Sequence, residues 1–254
     1  MPYIHNLSPF IFEWGFIKIG WYGLFYVLGF IFAYFWLLYM ARIGKIKLSR
    51  QDIEEFIMYL LFGVVIFARL FYTFVYYPQI YLKNPLMIFA VWHGGLSFHG
   101  GLIGAVIAGL IFTKKKKLDF YNFADILVVP AALGLVFGRL ANFINGELAG
   151  RVTDVSWCMY FKNYEGCRHP SQLYESFKNL VIFITLFFLS SKKLAKGFLF
   201  WFFIIMYSVL RFFIEFYRTP DEQLGFIVWG LTMGQVLNII MFGIALFFIL
   251  RLKK

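Results

Sequence analysis

The feature that most constrains this chain is a series of long apolar runs separated by short polar connections. The runs are 17–41, 53–76, 95–113, 122–142, 172–191, 197–217 and 231–250. About 20 apolar residues are enough for a helix to cross the hydrocarbon core of a membrane. No stretch shows the ten-residue alternation typical of a membrane β-barrel. The sequence therefore predicts an all-α polytopic membrane protein, a single domain over residues 1–254 with a bundle of about seven transmembrane helices.

The composition also favours a membrane protein over a soluble one. Hydrophobic residues occupy 61% of the 254 positions, and charged residues only 15%. Soluble domains carry about 25% charged residues. A soluble core of this size could not bury 35 Phe, 16 Tyr and 7 Trp side chains.

Basic residues are concentrated in every second connection and at the C-terminus. They are Arg42, Lys45, Lys47 and Arg50, then Lys114 to Lys117, then Lys192, Lys193 and Lys196, and finally Arg251, Lys253 and Lys254. Positive charge in short loops marks the cytoplasmic side. With seven spans, this predicts a cytoplasmic C-terminus, an external N-terminus and an external loop at about 143–171. The net charge of +11 then reflects topology and attraction to anionic lipid headgroups, and no nucleic-acid partner is expected.

Ionisable residues inside apolar runs are costly, and they therefore tend to be functional. Here they are few: Arg69, His99, Arg139, Glu175, Lys178, Arg211 and Glu215. By the predicted topology nearly all lie in the outer half of the membrane or at its outer surface. This shared depth predicts one site that opens toward the outer leaflet.

The sixth run places a charged stripe on one helix face. Tyr207, Arg211 and Glu215 are spaced four residues apart, and Arg218 follows on the same stripe, where we expect it at the water surface. One glutamate cannot neutralise two arginines, so positive charge remains for an anion. The alternative is that Arg211 and Glu215 form an internal salt bridge that joins helices.

A second polar group ends the fourth run, in GRLANFINGELAGR (138–151). Arg139 and Asn142 lie on one helix face, and Arg139 with Arg211 would form a clamp for phosphate, because guanidinium binds phosphate bidentately. Asn142, Asn145 and Glu147 would orient the arginines or bind hydroxyls. The pattern predicts a pocket for an anionic, hydroxyl-bearing group such as a phospholipid headgroup.

The third run begins with a histidine on a helix rich in small residues. Gly100 and Gly104, four residues apart, predict a close helix–helix contact beside His99. The alternative role for His99 is packing, with a hydrogen bond to a carbonyl. Ser97 and His99 would point apart on a helix, which argues against a nucleophile pair. His93 and His99 lack the spacing of a helical metal site, and no metal is expected.

Several motifs together resemble those of bacterial phosphatidylglycerol–prolipoprotein diacylglyceryl transferases. They are GWYGLFYVLGF (20–30), HGGLSFHGGLIG (93–104), GRLANFINGELAGR (138–151), HPSQLYES (169–176) and RFFIEFYRTPDE (211–222). They occur in the family's order and span nearly the whole chain. The resemblance is therefore specific.

The resemblance implies an enzyme of the cell inner membrane that acts in lipoprotein maturation. It would transfer the diacylglyceryl group of phosphatidylglycerol to the cysteine thiol of a prolipoprotein signal peptide, and glycerol-1-phosphate would leave. His99, Arg139 and Arg211 match the family's essential residues. Residues tied to activity or lipid binding are matched by Tyr22, Asn142, Glu147, Gly150, Tyr207 and Glu215. His169 and Glu175 match motif positions, and with Arg69 they are expected to support the site. No cofactor is expected, because the phosphodiester already supplies a leaving group.

Polar residues within apolar runs also occur in two other classes of membrane protein, anion transporters and intramembrane proteases. An anion transporter would place polar residues through the full depth of the membrane, and here they collect in the outer half. An intramembrane protease would need a Ser/His pair or two aspartates, and Asp125 has no second aspartate within a span.

Cys158 and Cys167 fall in the predicted external loop, where they either form a disulfide or stay as two free thiols.

Overall fold

A computed structural model describes residues 2–15, 17–90, 94–220, 225–228 and 230–252. Of the motif positions above, 93, 221 and 222 lie outside the described residues. The chain divides into two compact units. The first unit comprises Met1–Ala33 and Asp125–Lys254, and the second comprises Tyr34–Ala124. A single catalytic domain stays a prediction.

The described residues are mainly helical, as predicted. The helices are α1 (Trp21–Arg42), α2 (Arg50–Phe71), α3 (Pro78–Lys83), α4 (Phe98–Lys116), α5 (Phe120–Ile144), α6 (Ser171–Ser190), α7 (Phe198–Ile214) and α8 (Met233–Leu250). Short strands lie between them: β1 (Tyr3–His5), β2 (Phe10–Trp14), β3 (Ile17–Gly20), β4 (Met159–Phe161), β5 (Phe226–Val228) and β6 (Leu231–Thr232). They form three two-stranded pairs, β1 with β4, β2 with β3 and β5 with β6.

Six helices in the described part of the chain are long and apolar enough to cross a membrane. They are Trp21–Arg42, Arg50–Tyr76, Phe120–Ile144, Ser171–Ser190, Phe198–Tyr217 and Met233–Leu250. The chain is thus a multi-pass membrane protein. The predicted span 95–113 forms α4, which has 19 residues but ends in three lysines, and these shorten its apolar stretch. The side on which each terminus lies stays a prediction.

In the first unit, α7 packs against both α6 and α8. Trp201 of α7 stacks on Phe248 of α8, with ring centroids 4.5 Å apart. The carboxylate of Asp125, on α5, accepts hydrogen bonds from the backbone N–H groups of Gly197 and Phe200, at 2.6 and 2.8 Å. These are the otherwise unpaired donors at the start of α7. Asp125 therefore has a structural partner, which agrees with the argument against a protease.

The segment between α5 and α6 is organised by short backbone pairings. Strand β4 runs parallel to β1, with Ile4 opposite Tyr160. Cys158 and Cys167 form a disulfide, with Cα atoms 5.5 Å apart, so the first of the two expected alternatives is confirmed. The external location of this segment stays a prediction.

In the second unit, α2 and α4 pack closely through glycines, as the four-residue spacing predicted. A Cβ atom on Gly104 would collide with the carbonyl of Gly63 in α2, and one on Gly100 would collide with the carbonyl of Phe67. Any side chain at these positions would push the helices apart. The absence of side chains therefore fixes how α2 meets the first turns of α4.

Candidate functional site

The most concentrated charge in the first unit surrounds one buried carboxylate, Glu175. It is fully shielded from solvent. Its Oε1 lies 2.5 Å from Nη1 of Arg211 and 2.9 Å from Nη1 of Arg218. Its Oε2 lies 3.4 Å from Nε of Arg139 and 3.3 Å from Nζ of Lys178. Four cations therefore share a single carboxylate, and Arg139 and Arg211, which were predicted to act together, meet through it.

A second carboxylate, Glu215, completes this group. Its Oε2 lies 2.8 Å from Nη2 of Arg211 and 3.6 Å from Nε of Arg218, and its Oε1 accepts a hydrogen bond from Oγ1 of Thr232 at 3.1 Å. The backbone of Gly234 lies so close that a Cβ there would be 2.8 Å from Oε1. We call Arg139, Glu175, Lys178, Arg211, Glu215 and Arg218 the cationic cluster.

The cationic cluster lies where three helices begin or end. Arg139 comes from the last turns of α5, Glu175 and Lys178 from the first turns of α6, and Arg211 from the last turn of α7. Because Glu175 and Lys178 are three residues apart, both side chains point to the same face of α6. The charged groups of the cationic cluster are therefore collected at one end of this unit, and their depth in the membrane stays a prediction.

The charges of the cationic cluster do not cancel. Its four cations and two carboxylates leave a formal surplus of two positive charges. The arginine side chains are 12–21% exposed, and Arg139 is the most accessible at 21%. Since buried charge is expensive when unpaired, the surplus favours binding of an anion beside Arg139.

The expectation that Arg218 lies at the water surface was wrong. Its side chain is only 14% exposed, and it binds both carboxylates of the cluster. The helical pattern failed here because α7 ends at Ile214 and a 3₁₀ turn, Glu215–Tyr217, follows. The chain beyond this turn pairs with Gly150, which directs the guanidinium of Arg218 back toward Glu175.

Gly150 has a structural reason to be glycine. A Cβ atom there would lie 2.7 Å from the carbonyl oxygen of His169 and would also collide with the carbonyl of Tyr217. Its N–H donates to His169 O at 2.9 Å, and the neighbouring Arg151 N–H donates to Tyr217 O at 3.0 Å. The segment at Gly150 thus lies between two other backbones and fixes the start of Arg218.

Tyr22, Asn142 and Glu147 form a polar group next to Arg139. The Tyr22 hydroxyl lies beside the Asn142 side chain and interacts electrostatically with Glu147 and Arg139. Asn142 is buried, and Glu147 is exposed and accepts a hydrogen bond from Nδ2 of Asn145 at 2.6 Å. The structure therefore brings these predicted binding residues together. Their arrangement suits recognition of hydroxyl groups.

Tyr207 packs against the cationic cluster. The Nζ atom of Lys178 lies 3.8 Å from its ring centroid, and its hydroxyl interacts electrostatically with Glu175 and Arg139. Such a cation–π contact stabilises an ammonium group away from water. Tyr207 therefore shapes the apolar side of the same site.

His169 packs beside the cluster in an aromatic group. Its ring contacts the rings of Tyr174 and Tyr217, and its Nδ1 lies 3.1 Å from the Tyr174 hydroxyl. Burial lowers the pKa of His169, which favours the neutral ring at neutral pH. These contacts fit the supporting role that was predicted.

Arg69 and His99 belong to the second unit. Arg69 is buried and donates to the backbone carbonyls of Met87, Ile88, Ala90, Gly94 and Gly95, at 2.6–3.3 Å. These bonds hold the segment before α4. His99 is exposed at the second position of α4, and its ring contacts the rings of Phe71 and Phe98. It is therefore open to solvent or lipid.

Sequence reasoning underestimated Glu175 and gave no role to Lys178. Glu175 was expected only to support the site, yet it contacts every cation of the cluster. The available signal was the i,i+3 pairing of two ionisable residues inside an apolar run. Which other helices supply their partners is a property of packing between helices, and no spacing within one helix reveals it.

We expect Glu175→Gln to destabilise the protein strongly. The substitution keeps the shape but removes the buried carboxylate that four cations share, and breaking a buried ion pair costs about 3–5 kcal/mol. The Tm of the detergent-solubilised protein should fall by on the order of 10 °C. Glu165→Gln, at an exposed position, is the matched control. Equal Tm values for the two variants would show that Glu175 is not the centre of the cluster.

Comparisons with known proteins cover almost the whole chain. The family model "Prolipoprotein diacylglyceryl transferase" matches residues 9–251. Three similar proteins are each named phosphatidylglycerol–prolipoprotein diacylglyceryl transferase. The one from Geobacter sulfurreducens is 44% identical, over 95% of this chain and 94% of its own length. The one from Rickettsia bellii is 40% identical, over 97% and 95%, and the one from Bordetella parapertussis is 45% identical, over 92% and 91%. This chain therefore belongs to the prolipoprotein diacylglyceryl transferase family.

Proposed function

We propose that this chain transfers the diacylglyceryl group of phosphatidylglycerol to the signal-peptide cysteine of prolipoproteins, the first step of lipoprotein maturation. The bond between the glycerol carbon and the phosphate oxygen breaks, a thioether forms, and glycerol-1-phosphate leaves. The observation that carries the proposal is the cationic cluster, with its surplus of two positive charges, in a member of this family.

The arginines stabilise the phosphate as it leaves. Arg139 is held by Glu175 through Nε at 3.4 Å, which is a loose contact, and its guanidinium is the most exposed of the cluster. Arg211 is held more tightly, by Glu175 and Glu215. Donors fixed in advance by such contacts need little reorganisation when charge develops on the leaving group. Arg139 and Arg211 are therefore the residues that bind the phosphate.

The salt bridge between Arg211 and Glu215 was the structural alternative, and it is present at 2.8 Å. This salt bridge does not neutralise the cluster. Three further cations, Arg139, Lys178 and Arg218, share only one further carboxylate, that of Glu175. An anion transporter is less well supported than a transferase, because the buried charges of this unit gather at one end of α5, α6 and α7.

The residues beside Arg139 bind the glycerol hydroxyls of the headgroup. Tyr22, Asn142 and Glu147 offer both donors and acceptors within one polar group, and Tyr207 borders it on the apolar side. Gly150 contributes through its backbone, because it holds the segment that leads to Arg218. No resident metal or cofactor takes part in this proposal.

His99 acts on the cysteine thiol of the signal peptide. A cysteine thiol is mostly protonated at neutral pH, and the thiolate is the nucleophile. His99 is exposed in the first turn of α4, where an incoming signal peptide can reach it. It deprotonates the thiol, or orients it toward the glycerol carbon.

The protein lies in the inner membrane with its active site toward the outer leaflet. The basic connections support this orientation, because Lys114 to Lys117 would be cytoplasmic and the disulfide-containing segment external, in an oxidising compartment. The helix α5 lies between these two segments. An external N-terminus further requires α4 to cross the membrane, and that crossing is part of the proposal.

Cysteine labelling tests the orientation. In a background in which Cys158 and Cys167 are replaced, an impermeant thiol reagent applied to intact cells should label Lys162→Cys and spare Lys116→Cys. Both positions should react after the membrane is permeabilised, which controls for reactivity. Labelling at 116 but not at 162 in intact cells would reverse the proposed orientation.

The reaction itself is tested with purified protein, phosphatidylglycerol and a prolipoprotein signal peptide. The peptide should gain the mass of one diacylglyceryl unit, and glycerol phosphate should appear in equal amount. Replacing the peptide cysteine by serine should abolish the gain, because a hydroxyl is a far weaker nucleophile at this pH. Failure of the wild-type chain to modify the peptide would contradict the proposed function.

Arg139→Lys and Arg211→Lys should each lower the turnover rate at least about tenfold, or about 1.4 kcal/mol of transition-state stabilisation. Lysine keeps the charge but loses the bidentate geometry that matches phosphate. Arg50→Lys, at a side chain that is 76% exposed, is the control and should keep its rate. Rates close to wild type for both cluster variants would assign the arginines to structural ion pairs alone.

His99→Gln should fold normally and lose about 10²–10⁴-fold in turnover, the range for removal of a general base. Raising the pH should restore part of the rate, because it supplies thiolate without the histidine. His93→Gln is the comparison variant and should remain active. Full activity of His99→Gln would eliminate the proposed role, and a loss without recovery at high pH would favour orientation of the thiol over its deprotonation.

A further inference from the structure

Lys178 is a buried lysine that has no role in the transfer reaction as proposed above. It is only 3% exposed. Its Nζ contacts Oε2 of Glu175 and the face of the Tyr207 ring. Glu175 is already shared by three guanidinium groups, so electroneutrality does not require a fourth cation. Placing an ammonium there is costly, and the cost needs a compensating ligand charge.

Lys178 decides the net charge of the cationic cluster. Without it, three arginines face two carboxylates, and the surplus is a single positive charge. With it, the surplus is two. A further carboxylate, Glu147, belongs to the polar group beside Arg139, but it is exposed and hydrogen-bonded to Asn145, so water screens its charge. Tyr22 and Tyr207 are phenols, and partial burial lowers the pKa of His169, which favours its neutral ring.

The charge of the phosphate changes during the proposed reaction. A phosphodiester headgroup carries one negative charge. A phosphate monoester carries about 1.5 to 2, with a second pKa of about 6. As the carbon–oxygen bond breaks, its electron pair moves onto the phosphate oxygen. The sulfur supplies a pair to carbon, and the thiol proton goes to the base. Negative charge on the phosphate therefore grows from one toward two.

We propose that Lys178 matches the charge of this site to a phosphate dianion. The site then binds the leaving phosphate monoester more tightly than the phosphodiester. The inference rests on the proposed function, which it deepens. Interactions that strengthen as the bond breaks accelerate the reaction, so the second surplus charge acts on the transition state rather than on the bound lipid.

Lys178 acts through Glu175 and is a positioning residue. Its Nζ shares Oε2 of Glu175 with Nε of Arg139, at 3.3 and 3.4 Å. By neutralising part of that carboxylate, Lys178 reduces the hold of Glu175 on Arg139. More of the positive charge of Arg139 is then available to the phosphate. A second consequence is inhibition by the released product, because the site retains the dianion.

The test is direct binding to the full-length protein in detergent, measured by calorimetry. The two probes are glycerol-1-phosphate and its methyl diester, which differ in charge but hardly in shape. At pH 8 the wild-type protein should bind the monoester at least about tenfold more tightly. At pH 5, where the monoester carries one charge, the ratio should fall to about threefold or less. At each pH the ratio removes effects that are equal for both probes, and comparison of the wild-type protein with the Lys178 variants at the same pH assigns the remaining preference.

The variants assign the preference to Lys178. Lys178→Met should bring the ratio at pH 8 to about threefold or less, mainly by weakening binding of the monoester. Lys178→Arg keeps the charge and should keep the preference. Lys162→Met, at an exposed loop position, controls for loss of a lysine elsewhere in this unit.

The outcomes separate this inference from the proposed function. A full preference in Lys178→Met, or equal binding of both probes by the wild-type protein at pH 8, would overturn the role of Lys178. The wild-type comparison at two pH values decides the dianion preference even where Lys178→Met does not fold. Neither binding measurement requires lipid or peptide, so failure of diacylglyceryl transfer would instead contradict the proposed function.

Discussion

The first unit depends on one buried carboxylate. Glu175 is fully shielded and lies within 3.4 Å of a charged nitrogen of Arg139, Lys178, Arg211 and Arg218. In a membrane such charges are tolerated only when they are paired. The contacts that satisfy the carboxylate therefore also join α5, α6 and the end of α7, and the proposed phosphate site shares its side chains with the helix packing.

The segments between the helices position the charged side chains of the cationic cluster. The backbone at Gly150 lies between those of His169 and Tyr217 and leaves no room for a Cβ atom. The two flanking pairings bring Arg218 and Glu175 within contact distance. Glu215 is fixed independently, by Thr232 and the close approach of Gly234. Short backbone contacts thus set the positions of long, flexible side chains, which reduces the conformational entropy lost when a ligand binds.

The function follows from incomplete neutralisation. A cluster with equal numbers of cations and carboxylates would only hold helices together, whereas this one retains two positive charges beside a polar group of Tyr22, Asn142 and Glu147. The chain belongs to the prolipoprotein diacylglyceryl transferase family, and in the proposed reaction the phosphate of the lipid headgroup is both the bound anion and the leaving group. In the second unit, His99 is exposed on α4, and Arg69 donates to the backbone carbonyls of Gly94 and Met87.

The amino-acid sequence was enough to predict membrane-spanning helices, a close helix contact at the glycines of α4, and the Arg211–Glu215 pair as one of two alternatives. Each follows from local rules: the length of an apolar run, a four-residue spacing, or one helical turn. Its motifs also named the family. The packing of the helices instead placed Glu175 at the centre of the cationic cluster, brought the half-buried Arg218 into it, and directed Arg69 to backbone carbonyls. These depend on where one helix ends and which others pack beside it. The helical period fixes the neighbours of a residue within its own helix, but partners on other helices are set by the packing of the whole unit.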